Sequence, residues 1–455
     1  MYGDIMLFLE TKRPLARLVS LNLLFLALLV MIQSTCAYQH FRYSSALLNV
    51  TMNWSVSSDS LLDNVDLLVF VPSNSSNQEV LVINVSEPYE LTTDGKMHIH
   101  LYNITNRVVN GNFLVRTDYI TRIERNKPQK EELTQYLNET KLVVITRPIA
   151  YQSNKFNATF PEKIVEMSRW IYENVEYAVQ YSDVNVSEIY ENTIPSDRVF
   201  ENKIGVCDEF SHLFVAFARA SNIPSRVING FTLVGDKWIP HSWAEVYYDK
   251  YGWIEVDPTF NEFMNLDAMR LRLGSGVDQS VLIDKVNATT KSNAKTLSFN
   301  VNTNIEVINY SSYAPLSLDI RFPPQEELST TQPALVRIVN NGKDPIYTLL
   351  AIEAPQEVMC NCSRYLFLEP GIVENEIFNL YLPQLSPNVR YVFPITVFTD
   401  YTSTDTSFVR VKITDEGRGE NSIGTEETST NLRYFIAVFF IAVIGLVVIA
   451  ILRRW

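Results

Sequence analysis

The sequence predicts an α+β core, a cysteine-bearing helix packed on an antiparallel sheet, flanked by β-sandwich-like domains and tethered by one or two terminal transmembrane helices. Three observations predict it. Apolar–polar alternation, the period of a half-buried strand, dominates two separate stretches. Between them the apolar spacing turns helical. Long uncharged apolar runs stand near both ends. At about 150 residues per domain, 455 residues suit about three domains.

The ends set the location. Residues 1–17 form a tail with Lys12, Arg13 and Arg17, and residues 18–37 carry no charge. Residues 434–452 are also uncharged and are followed by the short tail 453–455, with Arg453 and Arg454. About 20 apolar residues cross a bilayer core, and basic flanks stay cytoplasmic. Residues 434–452 therefore read as a transmembrane helix. Residues 18–37 read either as a second anchor or as a signal peptide, with Thr35-Cys36-Ala37 resembling a cleavage site. Both readings place the main body outside the cell membrane. Eleven N-x-[ST] sequons, at Asn49, Asn53, Asn74, Asn84, Asn103, Asn138, Asn157, Asn185, Asn287, Asn309 and Asn361, all lie between the two runs. Chance in an Asn-, Ser- and Thr-rich chain explains several; their confinement to the body predicts a surface glycoprotein.

Within the body, residues 38–125 form an N-terminal β domain with short alternating strands such as VDLLVFV, EVLVINV, MHIHLYNI and NFLVRTDYI, and a turn at Asp94-Gly95. Residues 126–285 form the mixed domain. Pro161 opens a helix with Ile164, Met167, Ile171 and Val175 on one face. A second helix over 207–220 aligns Phe210, Leu213, Phe214 and Phe217, and stops at Asn222-Ile223-Pro224. Residues 298–415 form a β-sandwich whose last strand, SFVRVKI, puts Val409, Val411 and Ile413 on one face. The acidic, aperiodic residues 416–431 read as a flexible stalk.

Composition excludes several functions. Lys plus Arg total 38 against 51 Asp plus Glu, a net charge of −13, so no nucleic acid partner is expected. Four cysteines and no CxxC pair exclude a disulfide scaffold and a cysteine zinc site. His98 and His100 share a strand face, but no third ligand is evident, and the pair reads as a solvated surface. Cys360 and Cys362 are too close for an unstrained bridge, so free thiols or other partners are expected.

The chemistry concentrates on Cys207. It starts a helix, where unpaired N–H groups favour a thiolate, and Gly205 before it permits close backbone approach to a substrate. His241 opens a strand 34 residues later, and Asp257 ends the next strand of the hairpin. A nucleophile on a helix, with a base and its orienting group on a sheet, suits covalent catalysis. Asp257 shares the His241 face only if the register sets it opposite an odd-numbered residue such as Trp243. A lone helical cysteine is otherwise a small buried hydrophobe. Glu245 and Trp243 are expected to buttress His241, and His212 to pack beside the site. For an oxyanion hole the candidates are the Cys207 N–H and, upstream, Trp170 or Tyr177, both of which are equally readable as core.

Gly205-Val206-Cys207, Asn222-Ile223-Pro224-Ser225-Arg226, His241-Ser242-Trp243-Ala244-Glu245-Val246 and Trp253-Ile254-Glu255-Val256-Asp257-Pro258-Thr259 resemble, in this order, the transglutaminase-like superfamily. The resemblance implies a papain-related site with Cys207 as nucleophile, His241 as base and Asp257 as orienter. Asn222 stands where such families usually have Gly, and a left-handed cap accommodates it. The β flanks and anchors resemble, less specifically, membrane-bound archaeal and bacterial members. The expected activity is thiol acyl transfer on surface protein or peptide amides, with no cofactor or metal. Hydrolysis is favoured over cross-linking, because excluding water in favour of an amine needs a specialised tunnel. The alternative is a non-catalytic surface scaffold for binding.

Overall fold

The computed structural model describes residues 43–92, 95–119, 128–178, 193–291, 296–312, 315–322, 331–383, 390–400, 404–413 and 419–420, all within one unit beginning at Arg42. Both apolar runs, and the sequon at Asn185, lie outside the described residues. No helix among the described residues is long and apolar enough to cross a membrane.

The N-terminal sheet is built on two long strands rather than the short ones that the alternation predicts. β1 spans Ser45–Phe70, followed by β2 (Gln78–Val85), β3 (Tyr89–Leu91) and β4 (Lys96–Asp118). β4 runs straight through Asn110-Gly111, a turn pair by sequence, because Asn110 and Gly111 keep their places opposite Asn53 and Met52 in the ladder with β1. In β1 the buried face runs Ala46, Leu48, Val50, Met52, Trp54 and Val56, then changes phase to Val65, Leu67 and Val69. The ladder shifts register between Ser57 and Leu62. That irregularity moves the pattern from even to odd positions and keeps one apolar face inside.

The middle of the chain supplies α1 (Lys130–Thr134), α2 (Arg147–Lys155), α3 (Glu162–Asn174), β5 (Glu176–Tyr177), α4 (Ser196–Asn202), β6 (Ile204–Gly205) and α5 (Cys207–Ala220). Ile164, Met167, Ile171 and Val175 are all buried, as are Phe210, Leu213, Phe214 and Phe217 on α5. α5 ends as its sequence predicts. Asn222 takes φ +59°, Ile223 N–H donates to Ala218 O at 2.9 Å and Asn222 N–H to Arg219 O at 2.9 Å, a double closure of a left-handed cap. Against α5 lies an antiparallel sheet of β7 (Ser225–Val234), β8 (Lys237–Tyr248), β9 (Gly252–Asp257), β10 (Glu262–Phe263) and β11 (Arg270–Gly276), ordered β10-β9-β8-β7-β11.

The chain then returns to the first sheet. β12 (Lys285–Thr289) and β13 (Leu297–Ser311) both pair with β1, so residues 297–311 belong to the N-terminal sheet and the second β region starts later than the pattern suggests. Alternation identifies a strand, not its partner. The C-terminal sandwich packs β14 (Leu316–Arg321), β15 (Thr331–Asn340) and β18 (Val373–Tyr381) against β16 (Ile346–Glu353), β17 (Ser363–Leu368), β19 (Arg390–Thr399) and β20 (Thr404–Ile413). Ile320, Val336, Leu350, Phe378 and Ile395 lie in its core. A short β21 (Gly419–Glu420) pairs with Lys412 and Ile413, inside the stretch expected to be stalk. Cys360 and Cys362 are paired with each other, against expectation; the loop before β17 sets their Cα atoms 5.0 Å apart, within disulfide range.

The first sheet and the middle domain share one continuous apolar core. Polar ties reinforce it: the Gln78 side chain donates to Arg272 O and accepts from Arg272 N–H, each at 2.8 Å. Asn265 joins both flanks, accepting from Tyr347 N–H at 2.8 Å and donating to Tyr119 O at 3.3 Å. The sheet that carries His241 is thereby braced on two sides.

Candidate active site

Cys207 is the first residue of α5, after an extended Val206. What fixes this turn is Glu209, two residues on. One of its carboxylate oxygens accepts from Val206 N–H at 3.0 Å and the other from Ile194 N–H at 2.9 Å. Glu209 is fully buried, and a Cβ at Gly205 would lie 2.5 Å from its Cβ. Gly205 therefore makes room for Glu209, rather than for a substrate as the sequence alone suggests.

His241 sits within β8 rather than at its start. Ala244 faces Val256, so the next pair in step is Trp243 and Asp257, the register that brings Asp257 to the His241 face. His241 Nε2 lies 2.7 Å from Asp257 Oδ2, and both side chains are buried. Because Nε2 is taken by Asp257, Nδ1 is the ring nitrogen left for a thiol. Trp243 stacks at 6.1 Å from His241 with 20° between planes, and Phe260, 43% exposed, covers it at 5.3 Å. Trp243 Nε1 is held by Glu255 Oε1 at 3.1 Å, and Glu245 is clamped by Arg226 and Arg272, so both act as buttresses.

Sequence reading missed Arg270. Its Nη1 lies 2.8 Å from the same Asp257 oxygen that His241 uses, and its Nη2 pairs with Glu262. Burial pushes the Asp257 carboxyl up, but His241 and Arg270 outweigh it and hold it at about 2. Asp257 is thus a fixed carboxylate. A signal existed: Arg270-Leu271-Arg272-Leu273 puts two arginines on one face of a buried strand, where each needs an acidic partner.

The thiol is not the preformed thiolate that a helix N-terminus suggests. Burial raises Cys207 to about 12, and the charges of Asp208, Asp257 and Glu209 add to that, while the Ser242 N–H works against it. Two acidic residues in the first turn offset the dipole. The Ser242 contact places the sulfur beside the residue that follows His241. Cys207 as a whole residue is partly exposed, though its thiol is largely desolvated.

The other candidates go elsewhere. Trp170 stacks on Phe200 at 5.5 Å and meets Phe217 edge-on at 5.3 Å. Phe217 lies ten residues, about 15 Å of helix, beyond Cys207, so Trp170 is a core residue and not an oxyanion donor. Tyr177 pairs with Gly205 in the β5–β6 ladder, near the nucleophile, with its ring against Phe210. His212 is buried on the far side of α5, accepting from Gln279 N–H at 3.1 Å, not beside the site. Ten of the eleven sequons fall on described residues; none is buried, and only Asn49 and Asn53 are half-buried.

Residues 148–258, which contain Cys207, His241 and Asp257, match the family model of the transglutaminase-like superfamily. They form a transglutaminase-like domain. Two curated relatives align over part of the chain. The uncharacterized protein YebA of Bacillus subtilis is 36% identical over 75 residues, 13% of this chain and 10% of that protein. A protein-glutamine gamma-glutamyltransferase of Pseudomonas aeruginosa is 28% identical over 74 residues, 14% of this chain and 11% of that protein. The matches thus span about a tenth of each relative. Among solved structures, a candidate cysteine protease from Cytophaga hutchinsonii superposes with TM-score 0.44 at 17% identity, covering 59% of this chain and 93% of that one. Red sea bream transglutaminase gives TM-score 0.25 at 10% identity, covering 82% of this chain and 80% of that one. In this transglutaminase-like domain, the helix carries the thiol and the sheet carries the imidazole and carboxylate.

Proposed function

We propose that the chain is a membrane-anchored, extracytoplasmic thiol acyl-transfer enzyme acting on protein or peptide amides through a Cys207 thioester. The observation that carries this is the 2.7 Å His241–Asp257 contact on the strands flanking the Cys207 helix end. In the resting site the nucleophile is a thiol. As Cys207 Sγ attacks the carbonyl carbon, its proton passes to His241 Nδ1, and Asp257 stabilises the imidazolium. Collapse of the tetrahedral intermediate breaks the C–N bond, and His241 returns the proton to the departing amine. Water, deprotonated by His241, then releases the acid and restores the thiol. A lysine amine entering instead would cross-link proteins.

Hydrolysis is the favoured outcome, because admitting an amine while excluding water needs a specialised tunnel, whereas water is present at every thioester. The surface location rests on the two apolar runs and on sequons that are exposed or half-buried wherever described. The test is a peptide-amide library incubated with the full-length chain, with and without a primary amine. New carboxylates that vanish in Cys207→Ala support hydrolysis; amine-linked products mean cross-linking. No Cys207-dependent product would move the reading to a binding scaffold. Orientation is tested by a tag after Trp455, which external protease should not digest in intact cells.

A further inference from the structure

Away from the thiol site, the exposed face of the N-terminal sheet brings together three groups that the sequence keeps apart. His98 and His100 project from the same side of β4, with ring centroids 4.1 Å apart. Asp66 on β1 is the direct cross-strand partner of His100. One oxygen of Asp66 lies 2.5 Å from His100 Nδ1 and 3.8 Å from His98 Nε2. The three donor atoms all lie within 4.8 Å of one another. On the other side of β4, Glu90 of β3 is the partner of His98, which puts a second carboxylate beside that histidine. His98, His100 and Glu90 also line a surface groove of about 660 Å³.

We propose that Asp66, His98 and His100 form a divalent metal site for an ion of the Zn²⁺ kind. Two imidazoles and one carboxylate suit Zn²⁺ and its late first-row neighbours, whereas Mg²⁺ and Ca²⁺ prefer oxygen donors alone. Donors around a tetrahedral Zn²⁺ with bonds near 2.1 Å stand about 3.4 Å apart, between the two observed separations, so rotamer adjustment on the order of 1 Å closes the site. Without metal, the Asp66 oxygen accepts from His100 Nδ1–H. On binding, Nδ1 becomes a ligand and its proton passes to Nε2 of the same ring. Three protein ligands leave an open position toward the groove, for Glu90 or water. The ion would clip β1 to β4, in a different sheet from the one that carries His241 and Asp257.

The test is Zn²⁺ titration by calorimetry on the full-length chain carrying Cys207→Ser, which removes the free thiol among the described residues. We expect one Zn²⁺ per chain, and a Co²⁺ spectrum with nitrogen and oxygen ligation and no thiolate band. Because even supporting residues around a metal change affinity 10–100-fold, His98→Ala, His100→Ala and Asp66→Asn should each weaken binding by about 100-fold. These side chains are partly exposed, so the metal-free variants should melt where the parent does. If one fails to fold, a Zn²⁺-dependent rise in the melting midpoint of the Cys207→Ser chain carries the test. Absence of Zn²⁺ binding or of that rise, unchanged affinity in the three variants, or a thiolate-type Co²⁺ spectrum overturns the assignment.

Discussion

Arg270 Nη1 lies 2.8 Å from Asp257 Oδ2, the oxygen that also faces His241. One carboxylate therefore orients the base while it is itself pinned from behind by a buried guanidinium. Removing one partner of a buried ion pair leaves the other uncompensated and costs about 3–5 kcal/mol. Arg270→Gln should destabilise the domain by that order. It should also move the acid limb of the activity profile to higher pH, because Asp257 loses one of the charges that hold it at about 2. A depressed carboxyl contributes stability above its ordinary value and loses it as pH falls through the folded one. Wild type should therefore keep this contribution down to about pH 2–4, and Arg270→Gln should lose it earlier on an acid titration followed by circular dichroism.

The residue roles predict a graded series. Cys207→Ala should abolish turnover, since no other group forms the thioester. His241→Ala should be nearly as severe, because a thiol raised to about 12 needs a base. Asp257→Ala should be milder, as it orients the base without touching substrate. Base catalysis of this kind contributes about 10²–10⁴-fold. Steady-state rates on a substrate from the library, with melting curves alongside, check the order.

Thiol reactivity gives an independent reading. A raised thiol is protonated across neutral pH, so labelling of Cys207 by iodoacetamide should climb steadily with pH and show no plateau below about pH 9, near where a free thiol levels off. Asp208 is the largest charge acting against the thiolate. Asp208→Asn should speed labelling at pH 8 several-fold. An unchanged rate would mean that the Asp208 charge does not hold the thiol up.

Glu209 links stability to pH with the opposite sign. Burial raises its carboxyl to about 7, against two backbone N–H groups that lower it. A raised group stabilises the fold below its ordinary value and loses that contribution as pH rises through the folded one. Wild type should lose up to about 3 kcal/mol from this group between pH 4 and 8. Glu209→Gln can accept only one of the two N–H groups, since its NH2 faces the other as a donor, so it should melt below wild type at pH 4, with the gap narrowing toward pH 8.

Much of the site was legible in the sequence because its signals are local. Cys207 at a helix start, His241 and Asp257 on a hairpin and the Asn222 cap depend on residues close in the chain. What stayed hidden was tertiary. Arg270 meets Asp257 only because β10 and β11 fold back, and Asp66 meets His100 only through strand pairing across 34 residues. β13 returns to β1 across more than two hundred residues, a pairing that alternation cannot encode. Gly205 was misread for the same reason. The absence of a side chain was visible, but Glu209, the group that needs the space, was not.

The central claim is that Cys207 acts as a nucleophile through His241. Its most direct test is to mix the full-length chain with p-nitrophenyl acetate, quench in mild acid and locate the acetyl group by mass spectrometry. Acetyl on Cys207, formed far more slowly in His241→Ala and absent in Cys207→Ala, is the predicted result. Acetylation elsewhere, or at the same rate without His241, would contradict it.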